Sequence, residues 1–277
     1  MLTFLTNFFY NLLVFFAYLI PGHYVWISIV IITVLIRLAF LKPTYSMLKT
    51  QGKQKNVQKD LAAIKEKYKG DQKAQQQATM ELYKKEGINP LGSCLPMIIQ
   101  IILLLGFYGV FTKIGFATIH LDKLYSFIPH PPSLNAWFFG ADLTQTVAQL
   151  VKGPVGWVAL LFPILTGATQ MYQSIQAKAL QPKPTPGDKT ADFSRALNTQ
   201  MTYFMPLLIA YISYTLPSAL SIYWITQTIA MVVQQHFMIK KLQDEEAVVE
   251  EIAEALDAKS IKSFNKRGVS VTVREKK

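Results

Sequence analysis

Arg37 stands inside the apolar run Tyr24–Leu41, YVWISIVIITVLIRLAFL, as its single charge. A guanidinium placed in hydrocarbon costs about 2.5–3.5 kcal/mol on insertion scales, so its surroundings must compensate. The chemistry open to it is electrostatic: it can attract an anion or a carboxylate and order water or peptide groups around itself. Two placements satisfy it. Other helices can wrap it in a polar recess, or the side chain can snorkel toward the interface marked by Lys42, five residues on. Polar side chains able to line a recess recur in the other apolar tracts. Gln100 lies one turn inside the second tract, either as a groove residue or as a helix–helix hydrogen bond worth about 0.6 kcal/mol. Thr166, Thr169, Gln170 and Gln173 form a stripe at spacings of three, four and seven, and Gln227, Gln234 and Gln235 place amides in the last tract. No Asp or Glu occurs in these tracts, so amides, hydroxyls and water are the partners left for Arg37.

Other chemistry is poorly supplied. One cysteine, Cys94, excludes an internal disulfide and a cysteine-built metal site. His23, His120, His130 and His236 show no ligand spacing. No Gly-rich phosphate loop, nucleophile elbow, Ser/His pair or Asp pair occurs. The sequence therefore implies no catalytic residue, no cofactor and no metal.

The elements that must position Arg37 follow from where charge is absent. No Lys, Arg, Asp or Glu occurs from Met1 to Ile36, nor between Glu86 and Lys113, Lys152 and Lys178, or Arg195 and Lys240. Crossing roughly 30 Å of hydrocarbon takes about 20 apolar residues, and these tracts hold about five spans. The fold class expected is all-α: a polytopic membrane protein with five transmembrane helices around a hydrophilic groove, plus a cytoplasmic helical hairpin. The spans fall at 23–42, 91–112, 157–175, 200–217 and 219–239. Residues 1–22 have two readings, a sixth span or an interfacial helix, and the second is favoured because Thr3, Asn7 and Asn11 share a face and Pro21-Gly22 ends it.

Charge placement sets the topology. Residues 43–88 form the hairpin. Val57, Leu61, Ile64 and Tyr68 make one seam, Lys69-Gly70-Asp71 the turn, and Ala78 and Leu82 belong to the second helix, which stops at Gly87. Eleven Lys against five acidic residues between Lys42 and Gly87 fix this segment as cytoplasmic. The net charge of +11 thus follows membrane topology. Residues 113–156 read as an external loop with little regular structure, and 176–199, with Pro182, Pro184 and Pro186, as a cytoplasmic loop. The tail 240–277 holds nine basic and eight acidic residues, with a helical acidic block (Asp244–Asp257) and a basic end (Lys259–Lys277) without fixed structure. That end is either a solvated tail or a ribosome contact through RNA phosphates. The chain is then N-out and C-in.

The stretches IRLAFLKP (36–43), YKGDQKAQQQATMELYKKEGINPLGSCLPMIIQ (68–100), FPILTGATQMYQ (162–173) and MTYFMPLLIAYISYTLPSALSIYWITQTIAMVVQQ (201–235) occur in an order that resembles the YidC-type membrane protein insertases, in the five-span form without a large external domain. The resemblance implies a groove open to the cytoplasm and to lipid, built around one arginine, with no separate enzyme activity. Arg37 falls on that arginine's motif, Gln100 on the glutamine of the second span, and the hairpin on the segment that receives substrate. Thr169, Gln170 and Gln227 complete the groove set. Ala219 stands where the family usually has glycine, Gln227 where asparagine is common, and no lipobox cysteine occurs near Met1.

The resemblance further implies nascent membrane proteins as substrates and the inner (plasma) membrane as the medium; it fits action alone or beside a Sec-type translocon, and the ribosome is a partner that only the basic tail suggests. The physical logic agrees. A polar flank crossing hydrocarbon costs several kcal/mol per unpaired group, and a recess around Arg37 would hydrate it part-way. A transporter or channel binding an anion at Arg37 is the rival reading, against which no inverted repeat is visible.

Overall fold

A computed structural model describes residues 2–89, 95–116, 118–180, 189–257, 265–266 and 269–270. These residues are mostly helical. They divide into two units, Met1–Gln234 and Gln235–Lys277. The first five helices are α1 (Leu2–Leu19), α2 (Val25–Ala39), α3 (Leu41–Asn56), α4 (Gln58–Lys67) and α5 (Gln72–Lys85). Then come α6 (Leu95–Gly109), the short α7 (Val147–Leu150), α8 (Leu161–Leu180), α9 (Lys189–Thr215) and α10 (Ser218–Asp257). Strands β1 (Trp137–Phe138) and β2 (Ala141–Asp142) form one two-stranded ladder, and β3 (Asn265–Lys266) and β4 (Val269–Ser270) another.

The apolar run that holds Arg37 is not one helix. α2 stops at Ala39, Phe40 breaks it, and α2 and α3 meet at a bend of 57°. Pro43 gives the reason: in a continuous helix its ring would collide with the carbonyl four residues back, that of Ala39. In the first turn of α3 its missing N–H costs nothing. No single helix among the described residues is long and apolar enough to cross a membrane, whereas the bent pair passes that test together.

The core of the first unit sits where α1, α2, α6 and the start of α10 meet. α1 buries Phe9, Tyr10, Leu13, Val14 and Ala17 along one face. It packs on α2 and over the last turns of α6, where a Cβ on Gly106 or Gly109 would collide with Phe9 or Thr6. Glycine at those positions is what lets the helices approach so closely. Phe107 stacks into the same core with Phe9 and Tyr223. Asn11, from the polar face read in α1, is buried at 2% exposure and fully used. It donates to Lys123 O at 2.9 Å and to Asn7 O at 2.7 Å, and accepts from Tyr125 N at 2.7 Å.

Residues 113–156 carry more regular structure than the proline content suggests. A 3-10 turn at Leu121–Lys123, the β1–β2 ladder and α7 occur there, with Leu143, Val147 and Leu150 buried. The segment ties helix starts together: Val25 N donates to Asn135 O at 2.9 Å, and Ser218 N to Gln145 O at 2.9 Å.

The hairpin is present as α4 and α5. Gly70 turns between them at φ +97°, a conformation that disfavours any side chain, and Asp71 caps α5 by accepting from Ala74 N at 3.0 Å. Neither helix buries a residue. The sequence reading missed α3, which joins the hairpin to α2 and whose Lys53 Nζ donates to Glu86 O at 3.2 Å.

The expected loop 176–199 is also shorter than read. α8 continues to Leu180 and α9 begins at Lys189, leaving the proline cluster at 181–188 outside the described residues. Lys178, Lys189 and Arg195 are charges on helices, which the spacing of prolines alone could not reveal. α9 packs chiefly on α8, where a Cβ on Gly167 would sit 3.0 Å from Ala210 Cβ.

In the second unit α10 carries the acidic block Asp244–Asp257 as helix. Within the basic end, Asn265 pairs with Ser270 and Lys266 with Val269, an antiparallel ladder where no fixed structure was expected. The rest of that end lies outside the described residues.

Candidate functional site

Arg37 lies in the last turn of α2, two residues before the helix ends at Ala39. The side chain is 6% exposed. Its Nε donates to Gln227 Oε1 at 2.8 Å and its Nη2 to Gln100 Oε1 at 3.2 Å, with Met231 Sδ at 3.6 Å from Nη2. Gln227 Nε2 donates to the same Gln100 Oε1. Three helices thus close a triangle of hydrogen bonds.

The charge orders the amides. Arginine only donates, so Gln227 must present its oxygen to Nε, which turns its nitrogen to Gln100. Gln100 must then present oxygen to both donors. The backbone is tied as well: Gln234 Nε2 donates to Arg37 O at 3.1 Å, capping one of the carbonyls that the end of α2 leaves without a helical partner. Met231 and Gln234 lie four and seven residues beyond Gln227, on one face of α10, a helical spacing that could have pointed to them. Tyr223, one turn before Gln227, is fully buried and its hydroxyl finds no protein partner.

All the partners of Arg37 among the described residues are neutral. Their dipoles stabilise the guanidinium but leave its charge uncancelled, unlike a carboxylate.

The sequence-derived set is therefore brought together only in part. Gln100 and Gln227 touch Arg37. Gln170 sits one step away: its Oε1 accepts from Thr228 Oγ1 at 3.4 Å and its Nε2 donates to Gln173 at 3.2 Å. Thr169, expected beside Arg37, turns its hydroxyl back to Leu165 O at 2.8 Å. Helical threonines commonly bond the carbonyl four residues back, and spacing along α8 cannot tell that use from an interhelical one. Thr166 donates likewise to Phe162 O at 2.8 Å and also accepts from Ser213 Oγ at 3.5 Å, which in turn lies 2.7 Å from Ser221 Oγ. Among the described residues no group of His, Cys, Asp and Glu could hold a metal ion.

Residues 15–246 match the family described as 60Kd inner membrane protein. A "Membrane protein insertase YidC" of Legionella pneumophila (strain Corby) is 31% identical over 239 residues, covering 86% of this chain and 36% of the relative. The protein of that name in Fusobacterium nucleatum subsp. nucleatum is 32% identical over 215 residues, 78% of this chain and 86% of the relative. For Bradyrhizobium diazoefficiens the figures are 32% over 224 residues, 78% and 33%. This chain spans about a third of the length of the Legionella and Bradyrhizobium relatives and most of the Fusobacterium one. The profile match and these identities, over most of the chain, place it in the 60Kd inner membrane protein family, the YidC-type family that its motifs resemble.

Proposed function

We propose that this chain is a membrane protein insertase: it receives hydrophobic segments of nascent membrane proteins beside Arg37 and releases them sideways into the bilayer. The observation that carries this reading is the buried guanidinium held by Gln227 and Gln100 with its charge uncancelled. Such a charge lowers the cost of drawing an acidic or polar flank part-way across hydrocarbon. Buried acceptors without a protein donor, Gln176 Oε1 on α8 and Gln234 Oε1 on α10, add hydrogen-bonding capacity, the second on a side chain that itself donates to Arg37 O. Burial of the substrate's apolar helix supplies the free energy, at about 0.8 kcal/mol per CH₂. No bond is made or broken, so the chain acts as no enzyme, and no cofactor takes part.

In this reading α2 with its bend, α6, α8, α9 and the first part of α10 are the five spans. Their exposed apolar side chains support it: Leu35 and Leu38 on α2, Ile101 and Leu105 on α6, Ile164 on α8, Leu207 on α9. α1 lies at the outer interface across the end of α6. The hairpin and tail are cytoplasmic, the N-terminus external, and the chain multi-pass in the inner membrane. The groove set is Arg37, Gln100, Gln227, Gln170 and Thr169.

Purified chain in liposomes should promote insertion of a short single-span membrane protein made in vitro, and liposomes without it should not. Equal insertion by both contradicts the proposal. Uptake of small anions without insertion would favour a transporter instead. The tail is the proposed ribosome contact, and a Sec-type translocon a further partner. A chain ending at Gln243 should co-sediment less with ribosomes, and unchanged co-sedimentation removes that role.

A further inference from the structure

An apolar cavity of about 440 Å³ lies between α2, α8, α10 and the β1–β2 turn, and Arg37 is not among the residues that line it. Its walls include Trp26, Val30, Phe139, Phe162, Leu165 and Ile225, and Thr226 is its one lining residue with a hydroxyl. Nothing in it offers the convergent polar groups that a soluble ligand would need.

The turn at its rim is unusual. β1 and β2 are joined by two residues, Phe139 and Gly140, both at positive φ, +46° and +86°. That is the geometry of a type I′ hairpin, which favours Asn-Gly. A phenylalanine there holds a strained backbone, roughly 1–2 kcal/mol above the relaxed one. The strain is not repaid by burial, because Phe139 is 91% exposed. The ring instead stands edge-on to Phe138 at 4.9 Å, and Phe138 meets Trp26 at 5.3 Å and Phe162 at 6.0 Å. The turn thus extends the aromatic wall outward at the cavity mouth.

We propose that this cavity binds one acyl chain of a bilayer phospholipid, with Phe139 as the residue that closes over it. The chain belongs to a membrane family, and the cavity is open, unbranched by polar groups and flanked by exposed Trp157 and Val158. In that setting water is the poor occupant and hydrocarbon the good one. A strained aromatic kept at the mouth is explained by contact with that hydrocarbon. The inference goes beyond the insertase reading. It requires only that α2, α8 and α10 lie in lipid.

The test uses the full chain extracted from membranes in mild detergent, with native mass spectrometry for retained phospholipid and an acyl-diazirine phosphatidylcholine as probe. Wild type should retain one lipid per chain, and the probe should label peptides containing Trp26 or Phe162. Leu165→Phe fills the cavity from an exposed position. Phe139→Asn relaxes the turn. Both should lower retention roughly tenfold, the effect of losing about two methylenes of contact. Phe139→Asn should do so with an unchanged or higher melting temperature, which separates lost binding from misfolding. No retained lipid in wild type, retention unmoved by both variants, labelling elsewhere, or a peptide or second copy seated there would each overturn the proposal.

Discussion

Gln227 Oε1 accepts from Arg37 Nε at 2.8 Å, one bond joining residues 190 apart in sequence, and Gln100 Oε1 accepts a second from Arg37 Nη2 at 3.2 Å. The bond makes Gln227 the residue that decides how Arg37 is presented. It also separates two properties that substitutions at Arg37 itself would confound, namely the charge and the packing around it.

Gln227→Leu leaves a buried guanidinium N–H unpaired and should cost about 1–3 kcal/mol of stability, read as a lower melting temperature. Gln227→Glu behaves differently. Its carboxylate would pair with Arg37, and a buried ion pair is close to neutral for stability, so the fold should hold. The recess charge would then be cancelled, and insertion should fall. An insertion loss for Gln227→Leu alone, with Gln227→Glu fully active, would mean that packing and not charge is what matters.

Much of the frame is legible in the sequence for physical reasons. The Val57, Leu61 and Ile64 seam with Gly70-Asp71 specifies a helix, a turn and a capped helix by local rules alone. Charge-free tracts locate the apolar helices equally well. The site is legible only in part, because partners on different helices depend on crossing geometry. Arg37 and Gln100 were readable as polar groups at like depth, but Thr169 and Gln227 carried equal claims until α8 and α10 were placed. Pro43 is a local signal of the α2–α3 break that the strong apolar run masked.

The hairpin should be the least protected helical part of the first unit. α4 and α5 bury no residue, whereas α6 buries Leu103 and Phe107. Amide exchange should proceed far faster across Gln58–Lys85 than across Leu103–Gly109. Asp71→Ala should accelerate it further in α5, by about 1 kcal/mol of local stability. Equal protection of α5 and α6 would contradict this.

Topology is testable by cysteine labelling in a Cys94→Ser background. Ser218, at the α9–α10 turn, is fully buried and unsuitable, whereas Phe127 is 76% exposed. Phe127→Cys should react only from outside and Lys69→Cys, in the exposed hairpin turn, only from the cytoplasm. Reaction of both from one side would remove the five-span arrangement.

The central claim is that Arg37 acts through an uncancelled positive charge. The most direct measurement is insertion, by wild type, Arg37→Lys and Arg37→Ala, of substrates whose external tails carry zero, one or two carboxylates. Arg37→Lys should keep much of the activity, because the charge survives although the bond to Gln227 is lost. Arg37→Ala should lose activity with each added carboxylate, by roughly five- to tenfold apiece, or about 1–1.4 kcal/mol. Full activity of Arg37→Ala on every member of the series would contradict the account.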